Sequence, residues 1–373
     1  MVILLALLPT AVSANMGSPL MLASTLHLLF GNGVIGYIEA LIITKVFRTS
    51  LVTTGNLMML ANYFSAFLGY LVITSSLIPK ADITIENLQV WFWALVISAY
   101  VLTLLIEFPF VFGSMYRKLP HPFKSAILAS LLVQSVTTIF LVGYYGIFIS
   151  GSPMTTYKVV PPAQIVVAPE YTLYYLTPDG SKVMQSGLKG ERAEVVLDVN
   201  PPASEGTMFG HTTPEGRHDL YLHNMADFTP SKIQPIDTAA KHIREGFSAK
   251  APVLPEDGKQ TWDLPRSMNT VWRVPSFDGS SDWKFRVDFW PGLGLSGKKR
   301  EEDDTYTSHE FAISLPFVTW GVHNVVEVEE GIVVIQLGED QICLVDVATR
   351  RVALITRGRG PVVALQPDTI PSP

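Results

Sequence analysis

At 373 residues with only 16% charged residues and a mean hydropathy of +0.30, this chain is too apolar for an ordinary soluble protein and long enough for about two domains. The net charge of −6 is unevenly spread: residues 1–150 carry six Lys/Arg and four acids, which leaves 21 basic and 29 acidic residues of the totals of 27 and 33 for 151–373. An acidic C-terminal part argues against nucleic acid or anionic lipid as its partner, because phosphate binding needs a basic face.

Residues 1–14, MVILLALLPTAVSA, are apolar but shorter than the ~20 residues a span requires. They end in Val12-Ser13-Ala14, a small-x-small pattern that reads as the cleavage site of a short signal peptide; a retained apolar stub is the alternative. Four long apolar runs follow, Pro19–Val46, Leu51–Ile78, Val90–Tyr116 and Ser125–Ile149. Hydrocarbon offers backbone amides no partner, so each run is expected to be a transmembrane helix, four in all, within a membrane domain over 15–150. Trp91, Trp93, Tyr116, Tyr144 and Tyr145 collect near the ends, the depth amphipathic rings prefer.

The loops set the orientation. Lys45 and Arg48 follow the first run, and Arg117, Lys118 and Lys124 follow the third, without an acid in either loop; the loop after the second run sets Lys80 against Asp82 and Glu86. By the positive-inside rule the two basic loops are cytoplasmic, and the 79–89 loop and everything after Ser150 lie outside. The expected location is the inner (plasma) membrane of a bacterial envelope, multi-pass, with the lipid bilayer as one partner.

Two acids interrupt the greasy runs. Glu39 and Glu107 each sit about eight residues from the cytoplasmic end of their runs, roughly 12 Å deep at 1.5 Å per residue. Asn56 and Asn62 on the second run bracket that level, while Asn32, His27 and Gln134 read as lying elsewhere along the bundle. The candidate intramembrane polar site is therefore Glu39, Glu107, Asn56 and Asn62. Ionisable groups inside spans mark ion or proton sites; the competing reading is that both acids are protonated or hydrogen-bonded and hold helices together. Gly31-Asn32-Gly33-Val34-Ile35-Gly36 has the letters of a dinucleotide fingerprint but no preceding strand, so close helix approach explains it better.

Residues 151–162, with Gly151, Pro153, Pro161 and Pro162, read as a linker. A β-rich extracytoplasmic domain is expected over 163–373. Its first strands are 164–168, 171–177 before the turn Pro178-Asp179-Gly180, 194–199 and 218–223. Residues 226–270 read as a long excursion with a weak helical stretch at Ala239–Glu245. Alternation over Trp283–Trp290 marks a half-buried strand, Gly297–Asp304 a charged loop, and 311–320, 324–329, 331–337, 341–347, 351–356 and 361–365 further strands. The last four are expected to form an antiparallel meander with the look of a β-propeller blade, so the fold class is a membrane all-α bundle plus an antiparallel all-β domain, partly propeller-like or a sandwich. Cys343, the one cysteine, excludes an intrachain disulfide and reads as a core residue.

Chemical motifs mostly fail. Gly292 to Lys299 resembles a phosphate loop but ends in Lys299 where Ser or Thr should bind magnesium, so a hairpin tip is expected. His211, His218 and His223 gather with Asp219 and Asp227, yet an odd spacing sends His218 and His223 to opposite faces of one strand; surface histidines are the default reading and no metal site is expected. No GxSxG, HExxH or CxxC occurs. No catalytic residue or cofactor is expected, and an enzyme acting outside the membrane stays open as a third reading without specific support. Function is read two ways: a binding or assembly module acting through the β domain on a protein partner, or a small transporter or proton/cation-translocating subunit using Glu39 and Glu107.

Overall fold

In the computed structural model the described residues are 30–72, 82–116, 118–148, 157–167, 171–200, 202, 207–212, 218–223, 230–235, 242–245, 281–287, 294–301, 305–311, 313–315 and 318–365. The expectations placed on 1–14, His27, Asp227, Gly292 and most of 226–270 lie outside them. The chain divides into two compact units, Met1–Pro153 and Met154–Pro373.

The first unit has four described α-helices: α1 Asn32–Phe47, α2 Leu51–Val72, α3 Leu88–Met115 and α4 Pro122–Phe148. Arg48 ends α1 in the left-handed conformation with φ 55°, a common helix stop. Asn87 prepares α3 by accepting from the Thr84 amide at 2.8 Å. Pro122 opens α4, where a missing N–H costs nothing. Each helix packs on the next in sequence, and α1 also meets α4. Two of them, α3 and α4, are long and apolar enough to cross a membrane; the 28 residues of α3 extend about 42 Å.

The polarity of this unit is inverted relative to a water-soluble bundle. Val34, Ile38, Val52, Leu60, Val90, Leu105, Leu128 and Ile139 are exposed, whereas Asn32, Glu39, Asn62, Glu107, Gln134 and Thr137 are buried. In water that arrangement would expose a large apolar surface and desolvate polar groups together. In hydrocarbon it is the favourable one.

The second unit is β-rich. Its described strands are β1 Lys158–Val159, β2 Tyr171–Leu176, β3 Lys182–Gly187, β4 Glu194–Asp198, β5 Thr207–Thr212, β6 His218–His223, β7 Pro230–Pro235, β8 His242–Glu245, β9 Trp283–Val287, β10 Leu295–Arg300, β11 Tyr306–Phe311, β12 Ile313–Leu315, β13 Val318–Trp320, β14 Val322–Glu329, β15 Ile332–Leu337, β16 Gln341–Asp346, β17 Arg351–Arg357 and β18 Arg359–Leu365. Two five-stranded sheets have the orders β1-β17-β16-β15-β14 and β4-β3-β2-β18-β8; smaller sheets are β5-β6-β7, β9-β10-β11 and β12-β13. Pairing is antiparallel except between β1 and β17.

The two large sheets share one core. Leu173, Tyr175 and Val363 share one face of one sheet, Val326, Val334, Leu344 and Ala353 share one face of the other, and all belong to that core. Val333, Ile335, Cys343 and Val345 alternate with these to the opposite face and are equally buried. That side carries the Trp283 indole against Gly331 and the Trp320 ring against Gly338. Burial on both faces explains why β15 and β16 read as nearly unbroken apolar runs. Polar groups pin the edges: Arg357 pairs with Asp340 at 2.5 Å, and Ser281 donates to buried Glu327 at 2.6 Å. In the turn after β2, the hydroxyls of Thr177 and Ser181 donate to Asp179, holding its carboxyl down at about 2.

Of the last four expected strands, 331–337, 341–347 and 351–356 pair as the expected meander in β15 to β17, but 361–365 lies in β18, which joins β2 and β8 in the other large sheet. Five other expectations need correction. Of the strand expected at Gln164–Ala168, the described residues 164–167 are not paired: Pro162–Gln164 forms a 3-10 turn, with Ile165 and Val167 buried. Lys158–Val159, placed in the linker, instead adds a parallel edge to β17. Residues 242–245, inside the weak helical stretch, form β8 along β18, since pairing at a sheet edge overrides a weak local preference. The run 311–320 is not one strand: β11 pairs with β10, while β12 and β13 pair with each other. The charged loop and hairpin tip expected around Gly297 is β10, the central strand of its sheet. Gly297 fits there because a Cβ would come within 2.7 Å of the Phe285 ring, while Lys298 and Arg300 remain exposed.

Candidate functional site

The two acids of the apolar runs are brought together. Glu39 and Glu107 are each 1% exposed, and every helix contributes to their surroundings. Helical spacing builds the inward face: Asn32, Gly36, Glu39 and Ile43 on α1, Met58, Asn62 and Ser65 on α2, Glu107, Val111 and Ser114 on α3, and Ser130, Gln134 and Thr137 on α4 all recur at steps of three or four and are buried.

On Glu39, Oε2 accepts from Asn62 Nδ2 at 2.5 Å, and Oε1 accepts from Thr137 Oγ1 at 3.1 Å and Gln134 Nε2 at 3.3 Å. On Glu107, Oε1 lies 2.5 Å from Ser65 Oγ and Oε2 accepts from Gln134 Nε2 at 2.5 Å. One amide nitrogen of Gln134 therefore bridges both acids. No Lys, Arg or His is among the buried residues of the described helices, so the amides and hydroxyls supply the polar partners.

Of the four candidate residues, the structure assembles Glu39, Glu107 and Asn62. Asn56 is exposed on α2; six residues from Asn62 is about 120° around a helix, which turns it away from the acids. Gln134, read from sequence as lying elsewhere, is the central bridge. Ser65 and Thr137 were not singled out at all. A depth count could have found Gln134: it is nine residues into its run, or about 14 Å, close to the level of the acids. Ser65 and Thr137 carry no comparable signal, since single hydroxyls are common in membrane helices and usually bond to their own backbone.

Below the acids, toward the Arg48 and Tyr116 helix ends, the interior turns apolar. Ile43, Met58, Val111, Met115, Ala126 and Ala129 form a buried cluster there. Within that stretch Ser130 Oγ is buried without a hydrogen-bond partner among the described residues.

In the second unit, His211 on β5 stands opposite Asp219 on β6, which also carries His218 and His223. Buried Glu327 is engaged by Ser281 and by the Gly331 amide, which makes it a turn anchor. Burial against Trp283, together with nearby Arg350, lowers the basicity of His309. No protein-family model, curated protein or solved structure matches this chain, and the four-helix carboxyl pair stands as its candidate site on its own geometry.

Proposed function

We propose that this chain is a polytopic inner-membrane protein with four spans, in which the Glu39–Glu107 pair forms the site of a small proton- or cation-translocating subunit. The observation that carries this reading is the bridge: two carboxyls from α1 and α3, buried at 1% exposure, share one Gln134 amide. A bundle can be held together by amides and hydroxyls alone, and acids at this depth are expensive, so a matched pair calls for a use. The inverted polarity of all four helices supports four spans. The basic residues after α1 and α3 support a cytoplasmic side there, with the β unit extracytoplasmic.

The test uses the full chain in liposomes carrying an internal pH dye, with an imposed membrane potential and alkali cations varied outside. Wild type is expected to pass proton or cation current, and the Glu39→Gln/Glu107→Gln double variant to lose at least about tenfold, which is one strong hydrogen bond or more per transport step. Equal flux in both proteins overturns the reading.

The β unit supports a second role as a binding or assembly module for a protein partner outside the membrane. Val166 at 83% exposure and Val195 at 49% are large apolar groups on an otherwise acidic unit, and Glu191 and Glu194 beside Val195 favour a basic rim on the partner. Deleting 163–373 is expected to abolish complementation in a deletion strain; a truncated chain that complements fully rules this role out.

A further inference from the structure

We infer that the Glu39–Glu107 pair exchanges protons and rejects metal cations, and that the hydroxyls of Thr137 and Ser65 reverse direction as each acid gains or loses its proton. This deepens the translocation reading by naming its substrate, and its transport arm rests on that reading.

A metal ion needs several oxygen lone pairs converging on one point. Here the groups aimed at the carboxyl oxygens are donors. Asn62 Nδ2 donates to Glu39 and also to Met58 O at 3.1 Å. Turning that amide round would set its oxygen against the Met58 carbonyl, so it is held as a donor. The Gln134 nitrogen serves both acids at once; reversed, its oxygen would stand between two carboxyl oxygens. A cation entering this site would meet hydrogens from both amides.

The hydroxyls behave differently. Thr137 Oγ1 lies 3.1 Å from Glu39 Oε1 and 3.0 Å from Val133 O. Ser65 Oγ lies 2.5 Å from Glu107 Oε1 and 3.2 Å from Asn62 O. A hydroxyl has one proton to give and lone pairs to accept with. When the acid is ionised, the hydroxyl donates to it. When the acid carries a proton on Oε1, that O–H donates to the hydroxyl oxygen, and the hydroxyl turns to the backbone carbonyl. Glu39 thus has two fixed amide donors, Asn62 and Gln134, Glu107 has one, Gln134, and each has one reversible hydroxyl, so the carboxyl oxygens keep a partner in both protonation states. That offsets part of the cost of burying the charged form, which would otherwise hold the site in one state.

The chemistry is a balanced proton exchange: a proton from water forms the O–H bond at Oε1 and is later returned to water, with no other reactant. Ser130, one turn from Gln134 on the same helical face and lacking a partner among the described residues, offers a bonding position for a water on that route.

The experiment has two arms. In infrared difference spectra of the detergent-solubilised full chain, a protonated-carboxyl C=O band is expected to titrate with pH, to ignore added Na+ or K+, and to vanish in the Glu39→Gln/Glu107→Gln protein. In liposomes, Thr137→Val and Ser65→Ala are expected to slow proton flux about tenfold each, the weight of one hydrogen bond. Thr137→Ser and Ser65→Thr, which keep the hydroxyl, are expected to recover most of it. A band that shifts with Na+, or a carboxyl-dependent Na+ or K+ flux, overturns the inference and leaves translocation standing. A titrating, Na+-blind band without any flux overturns translocation and leaves proton exchange standing. Full proton flux in Thr137→Val and Ser65→Ala overturns the role given to the hydroxyls.

Discussion

Replacing Gly358 by Val is expected to speed labelling of the Cys343 thiol by an aqueous maleimide about a hundredfold in the intact, detergent-solubilised chain. Gly358 is the single residue between β17 and β18, where the chain leaves one five-stranded sheet and enters the other. A Cβ there would run into the Tyr175 ring at Cδ2 and lie 2.7 Å from Leu176 O and 3.2 Å from Ile342 Cδ1. The Leu176 carbonyl belongs to β2, the neighbour of β18 in its sheet, and cannot swing aside. The Gly358 amide meanwhile donates to Asp340 O at 2.6 Å, so the loop cannot shift outward without losing that bond. Overpacking of this kind costs about 1–3 kcal/mol and occasionally more; ~3 kcal/mol is about a hundredfold in the population of open molecules. Cys343 reports it cleanly. It is the chain's one cysteine, lies on β16 opposite Ile335, and is fully buried, so it reacts only when the sheets open. Gly113→Ala is the control, since nothing lies within 4 Å of a Cβ placed there. Unchanged Cys343 labelling in Gly358→Val would show that the sheet-to-sheet passage has room to spare.

The positions that matter most for the β unit were the least legible in the sequence. Strong local patterns came through: alternation over Trp283 to Val287 places Trp283 and Phe285 inward and Lys284 and Arg286 outward, and the closing meander pairs as its turns demand. Elements whose identity depends on a distant partner did not. The 242–245 segment is a strand because β18 offers it an edge. Gly297, Lys298 and Lys299 carry a loop's composition, yet their backbone bridges β9 and β11. A glycine set against an aromatic ring leaves no periodic trace, so β10 could not be read from its own residues.

In the helical unit the same contrast separates acids from hydroxyls. Buried carboxyls are rare enough in apolar runs to announce themselves, and equal distances from the basic ends of two helices that run the same way put Glu39 and Glu107 at one level. Azimuth is what depth alone omits. Asn56 and Asn62 bracket the acids in depth, but only Asn62 shares the face of Met58 and Ser65. Adding the 100° step to the depth count would have dropped Asn56 and raised Gln134.

Gly36→Val is expected to break the carboxyl site from outside it. Gly36 faces α2 so closely that a Cβ would lie 2.8 Å from Met58 O and from Met59 N and Cα. All three are backbone atoms, so relief requires α1 and α2 to separate. Glu39 is three residues along α1, and Asn62 is one turn along α2 from Met58, which also accepts from its side chain. Separation therefore lengthens the 2.5 Å Glu39–Asn62 bond and leaves two buried polar groups short of a partner, adding about 1–3 kcal/mol to the overpacking term of similar size. The expected outcome is loss of monodisperse protein in mild detergent, or a thermal midpoint well below wild type. Cys343 in the other unit should label at the wild-type rate while the bundle is disturbed. Gly55→Ala on α2 is the matched control: its Cβ would make only an ordinary 4.0 Å contact with Ala40, and should be tolerated. Equal stability of Gly36→Val and Gly55→Ala would mean that α1 and α2 do not approach at Gly36, and the pairing of Glu39 with Asn62 would lose its structural basis.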